Sequence, residues 1–200
     1  MTRTLVVLDH PYTYASSENE PHNRSFSAAL CKSVIEKITA RGEEADLIDL
    51  HADRFDPVMS ADELRSWRKG EPMSPEVEGY QRRWMAADRA VFIFPVWWEL
   101  MPAMTKGFID KVYAKNIMYD QGEGADFKTR LKPGFEVIFL TPMGTPTPVY
   151  KLIIGNPIAK AIGRGMCRKT GISKFKWIPY SDVDKLSAEQ RAKLLAEVDV

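Results

Sequence analysis

Short apolar runs alternate with longer amphipathic segments along this chain, and each apolar run has the length of a β-strand. Continuous apolar runs are typical of strands covered on both faces. The predicted strands span residues 5–8, 45–50, 90–94, 135–140 and 173–178.

The segments between these strands have helical periodicity. Phe26, Leu30, Val34 and Ile38 recur every four residues and predict a first helix, ended by Gly42. Residues 51–73 are rich in turns, with a short helical patch at 61–67, and we expect them to pack over one edge of the sheet.

Later helices carry recognisable start signals. Ser74 followed by Pro75 predicts a helix that runs to about Ala87. Pro102 opens the next helix, in which Met104, Phe108 and Val112 should face inward and Lys106 and Lys111 should face water. Residues 122–132 read as a connecting loop, and residues 150–170 as a helical region with breaks near Pro157 and Gly165. A Ser187–Gln190 capping box starts the last helix, which ends near Val198.

This alternation predicts an α/β protein, because parallel strands need helical crossovers between them. Five strands in this arrangement indicate a flavodoxin-like three-layer αβα sandwich with a parallel sheet in the order 2-1-3-4-5. No linker or repeat divides the chain, so residues 1–200 are predicted to form a single domain.

Composition narrows the class of protein. A net charge of +1, from 28 basic and 27 acidic residues, indicates no broad field for nucleic acid or an anionic membrane. No apolar run is long enough for membrane insertion, and the first residues lack a signal-peptide core, so a cytoplasmic location is expected. Cys31 and Cys167 are far apart and are predicted to be reduced, buried thiols.

The loops that follow strands one, three and four should meet at one end of the sheet, where open α/β sheets bind ligands. They span residues 9–27, 95–101 and 141–148. Together they are the candidate binding site.

The first loop ends at a helix start, in Asn23, Arg24, Ser25, Phe26 and Ser27. Backbone N–H groups there attract a phosphate, and Arg24 and His10 could add donors. Alternatively, the serine is an ordinary helix cap. His22 and His51 have no ligand spacing, so no metal site is predicted.

The second loop holds Pro95, Val96, Trp97 and Trp98, directly after a buried strand. Two adjacent indoles between prolines suit a flat ring such as a flavin, and the amides of residues 96–98 could bond its polar edge. Core or interface packing is the alternative for these tryptophans.

The third loop contains Thr141, Pro142, Met143 and Gly144. Thr141 and the amides of Met143 and Gly144 are candidate donors, and Gly144 permits close approach to the backbone. A rigid surface turn is the alternative.

These residues together resemble the flavodoxin-fold NAD(P)H dehydrogenase (quinone) family, which includes DT-diaphorase, modulators of drug activity and potassium-efflux ancillary oxidoreductases. The resemblance runs from Leu5 to about Tyr180. The segments that carry it are His10-Pro11, Ser25-Phe26-Ser27, Asp49-Leu50-His51, Phe55-Asp56-Pro57-Val58, Phe94-Pro95-Val96-Trp97-Trp98, Pro102-Ala103, Lys106-Gly107 and Asp110-Lys111-Val112.

The resemblance implies a flavin, FMN or alternatively FAD, and NADH or NADPH as electron donor. It implies ping-pong hydride transfer to a quinone, azo or nitro acceptor. His10, Ser25, Phe26 and Ser27 would hold the flavin phosphate, and Pro95 to Trp98 would contact the ribityl chain and ring. Thr141, Pro142, Met143 and Gly144 would meet the pyrimidine edge, with Tyr150 as the catalytic candidate.

The resemblance also implies a homodimer, to which Tyr119 and residues 120–127 would contribute. The chain departs from the family pattern at Thr141-Pro142-Met143-Gly144, which replaces Thr-Thr-Gly-Gly, and at Ser27, which replaces asparagine. The family's proton-relay histidine falls near Asn156 here. A different class of function remains open, namely a flavin-binding regulatory subunit of a membrane transporter, as does a fold that has lost its cofactor.

Overall fold

The computed structural model describes residues 1–18, 25–124 and 126–200. The main-sheet strands are β1 (Arg3–Leu8), β2 (Glu44–Asp49), β3 (Arg89–Ile93), β6 (Glu136–Met143) and β7 (Lys174–Ser181), and a separate hairpin holds β4 (Tyr119–Gln121) and β5 (Phe127–Thr129). The main sheet is parallel in the order β2-β1-β3-β6-β7. The predicted fourth and fifth strands are therefore β6 and β7, and the predicted flavodoxin-like arrangement holds with this numbering.

Helices cover both faces of the sheet. They are α1 (Phe26–Ala40), α2 (Ala61–Lys69), α3 (Pro75–Ala86), α4 (Ala103–Val112), α5 (Thr147–Leu152) and α6 (Ala188–Glu197), with a π-helix at Ala159–Arg168 and 3₁₀ turns at Tyr14–Glu18 and Val183–Lys185. Strand side chains alternate between two cores. Val6 and Val91 pack with Leu30 of α1, and Val7 and Phe92 belong to the core that contains α3 and α4.

Local capping explains where several helices begin. The Ser74 hydroxyl accepts a hydrogen bond from the Val77 N–H, and Pro75 occupies the first turn. Ser187 and Gln190 form a reciprocal capping box at the start of α6. Both starts agree with the sequence prediction.

Two predicted loops are partly regular structure. β6 continues through Thr141, Pro142 and Met143, because these residues pair with 179–181 of β7. Pro142 is tolerated since its position lies beyond the end of β3, where no ladder N–H is needed on that side. In the predicted 122–132 loop, residues 127–129 form β5.

The helical region after residue 147 also differs from the prediction. Thr147 and Pro148 form the first turn of α5. The break falls at residues 153–156, directly before Pro157, and the π-helix runs through Gly165 without interruption.

The segment after β2 packs closely on α4. A Cβ at Gly107 would lie 2.4 Å from the carbonyl oxygen of Pro57, so only glycine fits there. Lys111 was expected to face water but is buried, because its ammonium group donates to the carbonyls of Asp56 and Val58 and pairs with Glu63. Lys106 is exposed, as predicted, and pairs with Asp110.

Candidate functional site

The carboxyl ends of β1, β3 and β6 are joined by hydrogen bonds between their loops. The Asp9 N–H donates to the Ile93 carbonyl at 2.9 Å, and the Val96 N–H donates to the Pro142 carbonyl at 2.8 Å. The Thr145 hydroxyl donates to the Glu99 carboxylate at 2.7 Å. The structure thus places the three predicted segments along one rim of the sheet.

The first segment provides a helix N-terminus. Ser25 is the N-cap of α1, and its hydroxyl accepts from the Ala28 N–H at 3.1 Å. The amides of Phe26 and Ser27 belong to the first turn, where N–H groups have no intrahelical acceptor. They are the donors that this segment can offer to an anion. His22, Asn23 and Arg24 lie outside the described residues.

His10 belongs to the same predicted loop, directly after β1, and is half-buried. Burial, followed by the charge of His51, lowers the pKa of His10 below its ordinary value. Nδ1 of His10 accepts from the Tyr12 N–H at 3.2 Å, so the neutral ring carries its proton on Nε2. His10 can therefore act as a neutral hydrogen-bond donor near neutral pH.

The second segment forms a tight turn that displays the two indoles. Trp97 and Leu100 exchange two backbone hydrogen bonds, at 3.0 and 3.1 Å, and the central residues Trp98 and Glu99 have φ of 49° and 64°. Non-glycine residues rarely adopt this left-handed backbone. Trp97 is 48% exposed and Trp98 is 98% exposed.

Two of the three amides predicted to bond a ring edge, those of Val96 and Trp97, have backbone acceptors in the structure. Both amides are already used, by the carbonyls of Pro142 and Leu100 respectively. The turn needs these bonds to hold its strained backbone. The turn also displays two exposed indoles, which provide aromatic surface for a ligand.

The third segment presents an open backbone at its end. Thr141 is buried, and its hydroxyl accepts from the Trp177 indole N–H at 2.8 Å. Pro142 and Met143 are also buried, whereas Gly144 is exposed. A Cβ at Gly144 would meet no atom within 4 Å, so a ligand can approach the main chain there.

Tyr150 lies directly behind the tryptophan turn. It is fully buried, packs on Trp177, and donates its hydroxyl to the Glu99 carbonyl at 2.8 Å. Burial raises the pKa of Tyr150 to about 12. These contacts are those of a residue that positions the turn, and a catalytic role for Tyr150 stays a prediction.

Sequence reasoning missed two carboxylates that organise the rim. Buried Asp9 bonds Thr105 of α4 and His51, and Glu99 joins the second and third segments. Asp9 directly follows the first strand, and this position was the available signal. The second oxygen of Glu99 is buried without a hydrogen-bond partner in the described part of the chain.

Within residues 1–18, 25–124 and 126–200, no group of three or more His, Cys, Asp and Glu side chains could hold a metal ion. The same residues contain no helix that is both long enough and apolar enough to cross a bilayer.

A strand-rim site on a five-stranded parallel sheet is the arrangement of nucleotide-binding α/β proteins. The chain belongs to the family described as having a flavodoxin-like fold, whose model matches residues 2–199.

Two curated relatives carry oxidoreductase names. The chain is 30% identical to the uncharacterized NAD(P)H oxidoreductase YcaK of Escherichia coli K12 over 108 residues, which are 54% of this chain and 55% of the relative. It is 27% identical over 152 residues to NAD(P)H dehydrogenase (quinone) 1 of Rattus norvegicus, covering 64% of this chain and 52% of that enzyme. The matched part spans about half the length of these relatives.

Solved structures extend the likeness over the whole chain. A proposed quinone reductase from Klebsiella pneumoniae superposes with a TM-score of 0.81 at 25% identity, over 98% of this chain and 82% of that one. An FMN-dependent NADH-azoreductase from Bacillus anthracis, in complex with FMN, gives a TM-score of 0.73 at 18% identity, over 98% and 97%. The likeness to the azoreductase shows a shared fold.

Proposed function

We propose that this protein is a flavin-dependent NAD(P)H oxidoreductase that reduces quinones or related azo and nitro compounds. The observation that supports it best is the rim itself, which brings a helix N-terminus, two exposed indoles and an open glycine backbone to one place. Relatives named NAD(P)H oxidoreductase and quinone dehydrogenase support the same class of reaction. The transporter-subunit alternative gains no support from them.

The residues at the rim fit a flavin. The first-turn amides of Phe26 and Ser27, with Ser25 and His10 beside them, would hold its phosphate. Pro95 and Val96 with the indoles of Trp97 and Trp98 would contact the ribityl chain and ring, and Thr141 to Gly144 would line the pyrimidine edge. FMN is the cofactor we favour, with FAD as the alternative, and NADH or NADPH as the donor.

When bound, the flavin would supply the hydride-transfer chemistry that links a nicotinamide donor to the acceptor. The protein itself would hold the loops around the cofactor in place. Asp9 and Glu99 fix the loops, the indoles would cover one side of a bound ring, and Tyr150 supports the strained turn from behind. No side chain needs to act as a nucleophile, because hydride transfer depends on the alignment of the two rings.

An acceptor would have room beside the tryptophan turn. A cavity of about 500 Å³ begins at Leu100 and Met101 and continues past Tyr113, Tyr119 and Phe127. Its walls are mainly apolar and aromatic, as a quinone-like molecule requires. We propose that a second copy of the chain closes this side through Tyr119 and the β4–β5 hairpin.

The test is the absorbance spectrum of the purified protein, chromatography of the released cofactor, and anaerobic titration with NADH and NADPH. We expect the purified protein to be yellow or to bind added FMN. A nicotinamide donor should bleach the bound flavin, and a quinone should reoxidise it. A colourless protein that binds neither FMN nor FAD would rule the proposal out.

A further inference from the structure

The net charge of +1 conceals a strong separation of charge along the chain. Residues 137–181 contain seven cations and no carboxylate, which leaves 21 cations against 27 carboxylates in the rest of the chain. The seven are Lys151, Lys160, Arg164, Arg168, Lys169, Lys174 and Lys176. The early expectation of a field too weak to attract anions therefore does not apply to this segment.

These seven cations are also exposed and without ion pairs within the described residues. Cations elsewhere are commonly paired, as Arg83 is with Asp46 and Arg82 is with Glu78. Unpaired cations concentrated in one segment leave a positive field that can attract an anionic partner.

The same segment exposes two neighbouring apolar side chains. Leu152, the last residue of α5, is 82% exposed, and Ile153 is 80% exposed. Lys151 precedes them, and the Lys160 ammonium lies beside Gly155, 3.2 Å from where a Cβ would stand. Arg164 follows Lys160 by four residues on the π-helix. Lys151, Leu152, Ile153, Lys160 and Arg164 are called the basic apolar face below.

The backbone of the turn that carries the exposed Trp98 is bonded to the helix that ends in this face. Tyr150, two residues before Leu152, donates its hydroxyl to the carbonyl of Glu99, the residue after Trp98. Tryptophan is the side chain most suited to the boundary between headgroups and acyl chains, because it combines an apolar ring with a polar N–H.

We infer that the basic apolar face docks on the surface of a bilayer that contains anionic phospholipids. Aliphatic side chains enter the headgroup boundary while the surrounding cations meet lipid phosphates, the combination by which peripheral proteins bind without crossing the membrane. A nucleic acid would use the cations but would give Leu152 and Ile153 nothing to bury. Docking of this kind would bring the redox rim next to lipid-soluble acceptors, but it does not depend on the proposed redox function.

The test is co-sedimentation with vesicles of phosphatidylcholine alone and of phosphatidylcholine mixed with phosphatidylglycerol. Binding is expected for the mixed vesicles, with a partition coefficient that falls as salt is raised. Lys160→Gln with Arg164→Gln should lower it roughly 30-fold, since each cation near an anionic surface contributes about fivefold. Leu152→Ser with Ile153→Ser should lower it about tenfold or more.

Matched controls come from exposed residues elsewhere. Arg82→Gln with Lys193→Gln removes two exposed, paired cations, and Val58→Ser removes an apolar side chain that is 70% exposed. Both are expected to bind vesicles like the wild type. Circular dichroism checks folding, and quenching of tryptophan fluorescence by brominated lipid tests the contact in the unmodified protein.

Three results would overturn the inference. The first is that the protein binds vesicles of phosphatidylcholine alone as well as it binds the mixed vesicles, or that it does not bind the mixed vesicles. A second is a change from dimer to monomer in the Leu152→Ser, Ile153→Ser variant by light scattering, which would make this face a contact between copies. The third is tight binding of duplex DNA that depends on Lys160 and Arg164, with vesicle binding insensitive to Leu152 and Ile153. Cofactor content and reduction of a water-soluble quinone, measured on the same variants, report separately on the redox proposal.

Discussion

The buried carboxylate of Asp9, just after β1, accepts two hydrogen bonds from Thr105 in the first turn of α4. The Thr105 N–H donates at 2.8 Å and the Thr105 hydroxyl at 2.6 Å. Asp9 thus connects the end of β1 to the helix that follows the tryptophan turn. This contact joins the first segment of the candidate site to a helix residue 96 positions away in sequence.

Thr105→Val removes the hydroxyl donor and keeps the shape of the side chain. A buried carboxylate loses one of its partners, so we expect the free energy of unfolding to fall by about 1–3 kcal/mol, measured by urea denaturation. Thr39→Val, on the exposed face of α1, is the control and should stay within about 0.5 kcal/mol of the wild type. Equal effects of the two changes would show that the Asp9–Thr105 contact contributes little.

Gly107→Ala tests the close packing of α4 on the segment after β2. The added methyl group would meet the Pro57 backbone, so a loss of about 1–3 kcal/mol is expected in spite of alanine's better helix propensity. Gly79→Ala in α3 is the matched control, because its Cβ has only a side-chain neighbour at 3.9 Å, and it should stabilise by about 0.5–1 kcal/mol. Thermal unfolding of the two variants measures the expected loss and the expected gain of stability. A Gly107→Ala protein more stable than the wild type would contradict the observed packing.

Gly144→Ala tests whether a ligand occupies the open backbone at the rim. The added Cβ contacts no protein atom, so stability should be unchanged, while the affinity for FMN should fall about tenfold or more if the ring edge lies there. Trp97→Ala should weaken retention of FMN as well, through lost aromatic contact. Fluorescence titration with FMN is the measurement, and unchanged affinity in both variants would mean that the ring binds elsewhere.

Asp46 is expected to make folding stability depend on acid pH. Burial opposes its ionisation, but hydrogen bonds and charges from Arg83 and Arg3 outweigh burial and hold the pKa of Asp46 below its ordinary value. The stabilisation is therefore present above about pH 4 and is lost as the pH falls through the lowered pKa. Asp46→Asn should cost about 1 kcal/mol at pH 7, discounted for solvent screening, and progressively less in acid.

Urea denaturation at a series of pH values measures this difference. Glu36→Gln, which removes an exposed i,i+4 partner of Lys32, provides the comparison and should have little effect at any pH. A stability gap for Asp46→Asn that stayed constant from pH 7 to strongly acid conditions would argue against the assigned role.

The two thiols should be unreactive in the folded protein. Cys31 and Cys167 are fully buried, and burial raises the pKa of Cys167 to about 12 and that of Cys31 further still. Thiolate is the reacting form, so Ellman's reagent should label neither thiol until denaturant is added. Rapid labelling of either one in the native protein would show that its segment opens.

The order of elements and the location of the site follow from the sequence, because each depends on local features. Apolar runs separated by amphipathic segments set the parallel sheet, and Ser74, Pro75, Ser187 and Gln190 set helix starts within a few residues of themselves. The rim follows from topology, since parallel strands end on the same side. The indoles of Trp97 and Trp98 could thus be assigned to the candidate site from their position after β3.

The polar contacts at the rim were decided by tertiary structure alone. Val96 and Trp97 have amides like any other residue, and only the folded chain shows that Pro142 and Leu100 already occupy them. Lys111 reads as a surface lysine on its helix, yet carbonyls from a segment more than 50 residues away surround its ammonium group. Periodicity reports which face of an element is apolar, whereas the partner of a hydrogen bond depends on which distant segment the fold brings within 3 Å.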